Sequence, residues 1–154
     1  GFRWGTSLLP GQPILMEHLL DQTAITYPWT TVTNMSGEMI KTVLEDVCDN
    51  LFNADPYYQQ GGDMVRVGGL QYTCEPTARM GSRIHDMMLK GRPIDPKKTY
   101  KVAGWTPVSE EAKNAGEPVW EVVASYLRDL KTVQPVRLNL PTLKGVGKNP
   151  GMSA

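Results

Sequence analysis

An arginine held between two aromatic residues begins the chain, in Gly1-Phe2-Arg3-Trp4. A guanidinium presents planar donors that meet an oxyanion two at a time. A neighbouring glycine lets the backbone come close to a ligand. The plain alternative is a surface arginine packed on tryptophan. Trp105 closes Ala103-Gly104-Trp105, where a strand hands over to a loop, a common place for ligand-facing side chains. A tryptophan at the edge of the core fits the same pattern. Residues 57–69, YYQQGGDMVRVGG, carry Tyr57, Tyr58, Gln59, Gln60 and Asp63 among two glycine pairs. This stretch is too polar and too aromatic for a linker, and paired glycines permit tight folding. An ordered surface loop is expected.

These features describe binding equipment. The sequence contains no H-E-x-x-H, no phosphate-binding P-loop and no G-x-S-x-G. Arg66-Val67-Gly68-Gly69 lacks the spacing of a dinucleotide fingerprint. Two histidines, His18 and His85, are few for a metal cluster, and each reads as a boundary residue of its element. Cys48 and Cys74 match no zinc or redox spacing and read as buried structural thiols, with a functional pair as the alternative. Read from its residues alone, the chain is a binding domain.

The bulk properties agree. A length of 154 residues suits one domain with a real core. Hydrophobic content of 40% and charged content of 21% are ordinary for a globular protein. A formal net charge of zero offers no electrostatic case for nucleic acid or a membrane surface. No apolar run approaches the roughly 20 residues of a membrane span, and Gly1 opens no signal-peptide pattern. The start at Gly1 reads as that of a fragment or a processed product.

The elements that must position these residues follow from periodicity. Residues 14–22 predict a short helix behind Pro13, and residues 27–35, rich in Thr, Val and aromatics, predict a strand. Ser36 fits a helix N-cap with Glu38 in the first turn. Met39, Ile40, Val43, Leu44, Val47 and Leu51 then form one apolar stripe, with Lys41, Glu45, Asp46 and Asp49 opposite, ending near Asn53. Residues 64–67, 70–74, 83–89 and 99–105 read as strands, the last two joined by the turn-rich KGRPIDPKK. A second amphipathic helix runs from Pro118, at its first position, to about Lys131. Residues 133–154 are expected to form an extended tail. Strands and helices do not alternate strictly, so the expected fold is α+β, a mixed sheet packed with two main helices.

Read in series, several of these segments resemble the C-terminal domain of the 5'-nucleotidase family. GFRW is similar to the arginine turn that opens that domain, and SGEMIKTVLE, residues 36–45, to its first helix motif. VGGLQYTCEP resembles the following strand, with Gly81 and Arg83 supplying its G-x-R. GRPIDPKKTYKVA resembles its hairpin, and PVWEVVASYLRDL its later helix. The nucleotidase base clamp is not matched: after Tyr100-Lys101-Val102-Ala103 the chain runs into GWTPVSEEAKNAGEP, without the family's G-G-D-G loop. GFRWGTSLLPG, QTAITYP and DPYYQQGGDMVRVGG are instead similar to the thiosulfohydrolase branch of bacterial sulfur oxidation, the SoxB type.

That resemblance implies the single C-terminal substrate-recognition domain, residues 1–154, of a larger two-domain metallohydrolase. The enzyme would release sulfate from a cysteine S-thiosulfonate on the SoxYZ carrier, in the periplasm. Two manganese ions would be bound by an N-terminal metallophosphoesterase-like domain, leaving this piece without metal ligands and inactive alone. By the same resemblance Arg3 matches the substrate-binding arginine, and Trp105 and Tyr27 fall near aromatic substrate contacts. Asp63, Tyr57 and Tyr58 are candidates from their loop, which would shape the channel for the carrier's arm. The alternatives are a 5'-nucleotidase or related phosphohydrolase domain, and a non-catalytic carrier-binding module.

Overall fold

The computed structural model describes residues 7–23, 28–61, 64–104, 116–134 and 138–147. The element order is α1 (Met16–Thr23), β1 (Thr31–Ser36), α2 (Gly37–Phe52), β2 (Leu70–Cys74), β3 (Ile84–Leu89), β4 (Arg92–Pro93), β5 (Thr99–Gly104), α3 (Val119–Leu130) and β6 (Thr142–Leu143). The fold is α+β, as expected. Of the strand predicted at residues 27–35, residues 31–35 are realised in β1; residues 28–30 precede it, with an isolated bridge at Trp29, and Tyr27 lies outside the described residues. The chain divides into two compact units, Gly1–Asn34 with Lys101–Pro135, and Met35–Tyr100 with Val136–Ala154.

In the first unit α1 packs against α3, burying Leu19 and Ala124. Leu15 N–H, an unpaired donor near the start of α1, is satisfied by His18 Nδ1 at 3.1 Å. His18 therefore serves its own helix. Pro118 stands as the N-cap of α3 rather than at its first helical position. The shift follows from a β-bridge between Trp29 and Pro118, in which Val119 N–H donates to Pro28 O at 2.7 Å and Thr30 N–H to Glu117 O at 2.9 Å. That bridge holds Pro118 in extended backbone and delays the helix by one residue. β1 pairs with β5, and Thr31 Oγ1 donates to Gly104 O at 3.3 Å.

The second unit is α2 laid on a four-stranded sheet of order β4-β3-β2-β6. Leu44 and Cys48 of α2 meet Leu70, Tyr72 and Cys74 of β2 and Ile84 of β3, with Ile40, Met64, Val67, Met87 and Ile94 around them. β2 and β3 are antiparallel, from Leu70 opposite Leu89 to Cys74 opposite Ile84. The register slips between Gln71 and Thr73, so that Asp86 and Met87 of β3 both face Tyr72. Asp86 accommodates this bulge at φ 52, a left-handed conformation that aspartate tolerates. Lys90 and Gly91, both at positive φ, close the tight hairpin from β3 to β4.

Residues 64–67 are not a strand; Met64 and Val67 pack on the core as irregular chain. Both edges of β2 are already taken, by β3 on one side and by β6, in parallel register, on the other. Thr142–Leu143, within the segment expected to be extended, supplies that β6 edge.

The start of α2 explains two of the sequence motifs. Ser36 Oγ accepts from Met39 N–H at 3.1 Å. The Pro96–Lys98 turn supplies further acceptors: Gly37 N–H donates to Lys98 O at 3.1 Å and Glu38 N–H to Pro96 O at 3.0 Å. A side chain at position 37 would sit 2.3 Å from Asp95 O, so only glycine admits this approach. The SGE and DPKK stretches are thus two halves of one contact.

Candidate functional site

Arg3, Tyr27, Asp63 and Trp105 lie outside the described residues. Tyr57 and Tyr58 lie within them, on a one-turn 3-10 helix, Pro56–Tyr58, just past the end of α2. Proline opens this turn and Asp55 caps it, its Oδ1 accepting from Tyr57 N–H at 2.9 Å. Asn53 holds the turn from below. Its Oδ1 accepts from Asp55 N–H at 3.0 Å, and its carbonyl accepts from Gln59 Nε2 at 2.8 Å. Gln60 N–H returns to Asn50 O at 2.7 Å.

The two rings meet edge to face, centroids 5.7 Å apart at 87°. Tyr57 is 87% exposed and Tyr58 59% exposed. Two large aromatic side chains are therefore presented to solvent on a turn held by hydrogen bonds. Such rings give contact area at little entropic cost when a partner arrives.

Beside this turn lies an open groove of about 610 Å³, lined by Leu51, Phe52, Gln59, Pro76, Arg79 and Arg83 among others. Arg83, one of its lining residues, belongs to a charged network that periodicity did not reveal. Glu45, assigned by the helical pattern to the polar side of α2, is only 4% exposed. Its Oε1 accepts from Ile84 N–H at 2.7 Å, and its Oε2 from Gly81 N–H at 2.8 Å and Arg83 N–H at 3.3 Å. Three backbone donors satisfy the buried carboxylate. Met39, placed in the apolar stripe, is half exposed.

Arg83 completes the network. Its guanidinium pairs with Asp49 and donates to Phe52 O at 3.1 Å and Pro76 O at 3.2 Å. Arg83 and the Asn53 amide together hold the Asp49 carboxyl below its ordinary value. The G-x-R motif is therefore a fastening between α2 and the turn before β3. Asp49 and Glu45 both lie on the flank of α2 that the hydrophobic pattern marks as solvent-facing. The signal that could have found them is their spacing of four, which puts both acids on one line along the helix.

A smaller cluster forms at the bulge. Asp86 Oδ2 accepts from Thr73 Oγ1 at 3.1 Å, lies 2.9 Å from His85 Nδ1 and 3.8 Å from Lys144 Nζ. His85, with Thr73 and Lys144, lowers the Asp86 carboxyl. Among the described residues no three of His, Cys, Asp and Glu converge as metal ligands, so they do not fit a two-metal centre. No described helix is long and apolar enough to cross a membrane.

Residues 4–114 match the sequence profile of the family described as 5'-nucleotidase, C-terminal domain. The chain belongs to that family. The 5'-nucleotidase C-terminal domain seen here is similar to the Thermus thermophilus sulfate thiohydrolase SoxB, whose structure was solved with glycerol. The two share 39% identity at a TM-score of 0.76, over 93% of this chain and 27% of that one. A 5'-nucleotidase precursor from Thermus thermophilus matches at 21% identity and TM-score 0.59, over 86% of this chain and 28% of its own. A Staphylococcus aureus protein assigned as a 5'-nucleotidase, solved with alpha-ketoglutarate, matches at 15% and 0.60, over 84% of this chain and 30% of its own. These two show the shared fold alone. The chain thus spans about three-tenths of the length of each of these relatives. No curated protein sequence matches.

Proposed function

We propose that this chain is the substrate-recognition domain of a thiosulfohydrolase of the SoxB type. The parent enzyme hydrolytically releases sulfate from a cysteine S-thiosulfonate carried by a SoxYZ-type protein in the periplasm. The single observation that supports this reading over a nucleotidase is the 39% identity to the sulfate thiohydrolase across 93% of the chain.

In this reading the chain's own residues bind and orient. Arg3 offers two parallel donors to the sulfonate oxygens, a geometry that lysine cannot reproduce. Trp105 and Tyr27 flank the substrate, and Asp63 contacts the approaching peptide. Tyr57 and Tyr58, projecting from a hydrogen-bonded turn, give the carrier's arm a rigid aromatic surface. Two manganese ions, held by the rest of the parent protein, supply the hydrolytic chemistry.

The test is made on the full-length parent protein, offered a carrier-arm peptide bearing S-thiosulfonate and, separately, AMP. Sulfate release from the peptide with no phosphate from AMP is the expected result. Phosphate release from AMP without sulfate release would return the domain to the nucleotidases. Binding of the peptide with neither product would leave a carrier-docking module.

A further inference from the structure

Cys48 and Cys74 belong to neighbouring elements of one core. Cys48 sits on the inward face of α2, and Cys74 is the last residue of β2. They are 0% and 2% exposed, and their Sγ atoms lie 3.6 Å apart across 26 residues of chain. A disulfide needs its sulfurs at about 2.05 Å, so a displacement of roughly 1.5 Å separates this thiol contact from a bond. Cys74 is fixed within the sheet. Cys74 pairs with Ile84 on one side and Leu143 on the other, and its carbonyl accepts from Lys144 N–H at 3.0 Å. Tyr72, in the same core, has a buried hydroxyl with no hydrogen-bond partner among the described residues.

We infer that Cys48 and Cys74 form an intramolecular disulfide when the chain folds in contact with a thiol–disulfide oxidant, fastening α2 to the end of β2. One cysteine thiolate of the unfolded chain attacks a sulfur of the external disulfide and expels one thiolate. The second cysteine then attacks the Sγ of that mixed disulfide and expels the other. The two protein thiols lose two electrons, one external disulfide is reduced, and the two cysteine protons end on the two released thiols.

The bond is set at folding and does not cycle in the native state. Burial pushes the Cys48 thiol up to about 12 and raises Cys74 as well, so little thiolate exists in the folded protein at neutral pH. With both cysteines almost wholly buried, reagents reach the pair chiefly through unfolding. The link therefore serves as a structural fastening, distinct from any part in catalysis.

The test refolds the full-length parent protein in mixed oxidised and reduced glutathione, then maps its peptides by mass spectrometry without reduction. The expected product is a linked pair of peptides containing Cys48 and Cys74, lighter by two hydrogens than the free pair. Cys48→Ser and Cys74→Ser should each abolish it and leave the other thiol open to alkylation after denaturation. The oxidised wild type should also unfold at higher urea than its reduced form. The wild-type map decides by itself should either variant fail to fold. Recovery of both cysteines as free thiols from oxidatively refolded protein with a native circular dichroism spectrum would overturn the inference. So would their pairing with other cysteines.

Discussion

The carboxylate of Glu45 on α2 accepts a hydrogen bond from the backbone N–H of Ile84, the first residue of β3, at 2.7 Å. The same side chain gathers the N–H groups of Gly81 and Arg83, so one helical acid determines where the third strand begins. Hydrogen bonds to an ionised acceptor contribute about 1.5–3 kcal/mol each, and stranded buried donors add a desolvation cost. Glu45→Ala should lower unfolding stability by about 3 kcal/mol or more. Glu45→Gln keeps one carbonyl oxygen and should lose about half as much. Urea denaturation of the two variants checks the ranking, and equal stability of Ala and wild type would contradict it.

Asp49 makes stability depend on acid. The Arg83 guanidinium, with help from Asn53, depresses its carboxyl in the folded state. A depressed carboxyl stabilises fully above its unfolded value, near 3.9, and loses that contribution as pH falls through the folded value. The partly exposed position of Asp49 limits the size of the effect. Asp86, depressed chiefly by His85, adds to the same acid limb. Following the urea midpoint from about pH 6 to about pH 2, Asp49→Asn should flatten the fall without abolishing it. An unchanged slope would mean that the Arg83 pair has no energetic weight.

Gly37 is the least replaceable residue of the α2 motif. A Cβ there would lie 2.3 Å from Asp95 O and 2.6 Å from Ile94 Cγ2. The backbone carbonyl cannot swing aside without losing the contacts of the Pro96–Lys98 turn. Gly37→Ala should destabilise by about 2 kcal/mol or more, despite alanine's better helix propensity. Thermal melting of the variant is the direct check, and a rise in melting temperature would refute the packing argument.

Tyr57 and Tyr58 separate function from stability. Both rings are mainly in water, so Tyr57→Ala and Tyr58→Ala should each change stability by only about 0.5 kcal/mol. Under the proposed function the double variant should lower kcat/KM for the thiosulfonate-bearing carrier peptide by roughly tenfold, equivalent to about 1.4 kcal/mol. An unchanged kcat/KM would remove these rings from the substrate surface.

Much of the architecture was legible in the residues. Leu70–Cys74 and Ile84–Leu89 occupy the runs that β-propensity marks, and α2 begins behind Ser36 as its capping pattern requires. Local preference decides such elements because each depends on a few neighbouring side chains. The SGE, VGG and DPKK motifs also carried the family relationship without any coordinates: Gly37 admits the close approach of Asp95, and Gly69 takes a positive φ.

Other features depended on a second neighbour that periodicity cannot see. Helical spacing sorts residues by one buried face, so it assigned Glu45 to water; the turn at residues 76–83 then covered that flank and made the acid an anchor. Arg83 read as a motif arginine, and only packing turned it inward toward Asp49. Residues 64–67 had the composition of a strand, but β3 and β6 had already closed both edges of β2. Likewise the two cysteines met no spacing rule, because the 3.6 Å between their sulfurs is a property of α2 lying on β2. Sequence determined most of the elements and the family. The tertiary structure decided which polar groups are buried and what satisfies them, because that depends on contacts between residues far apart in the chain.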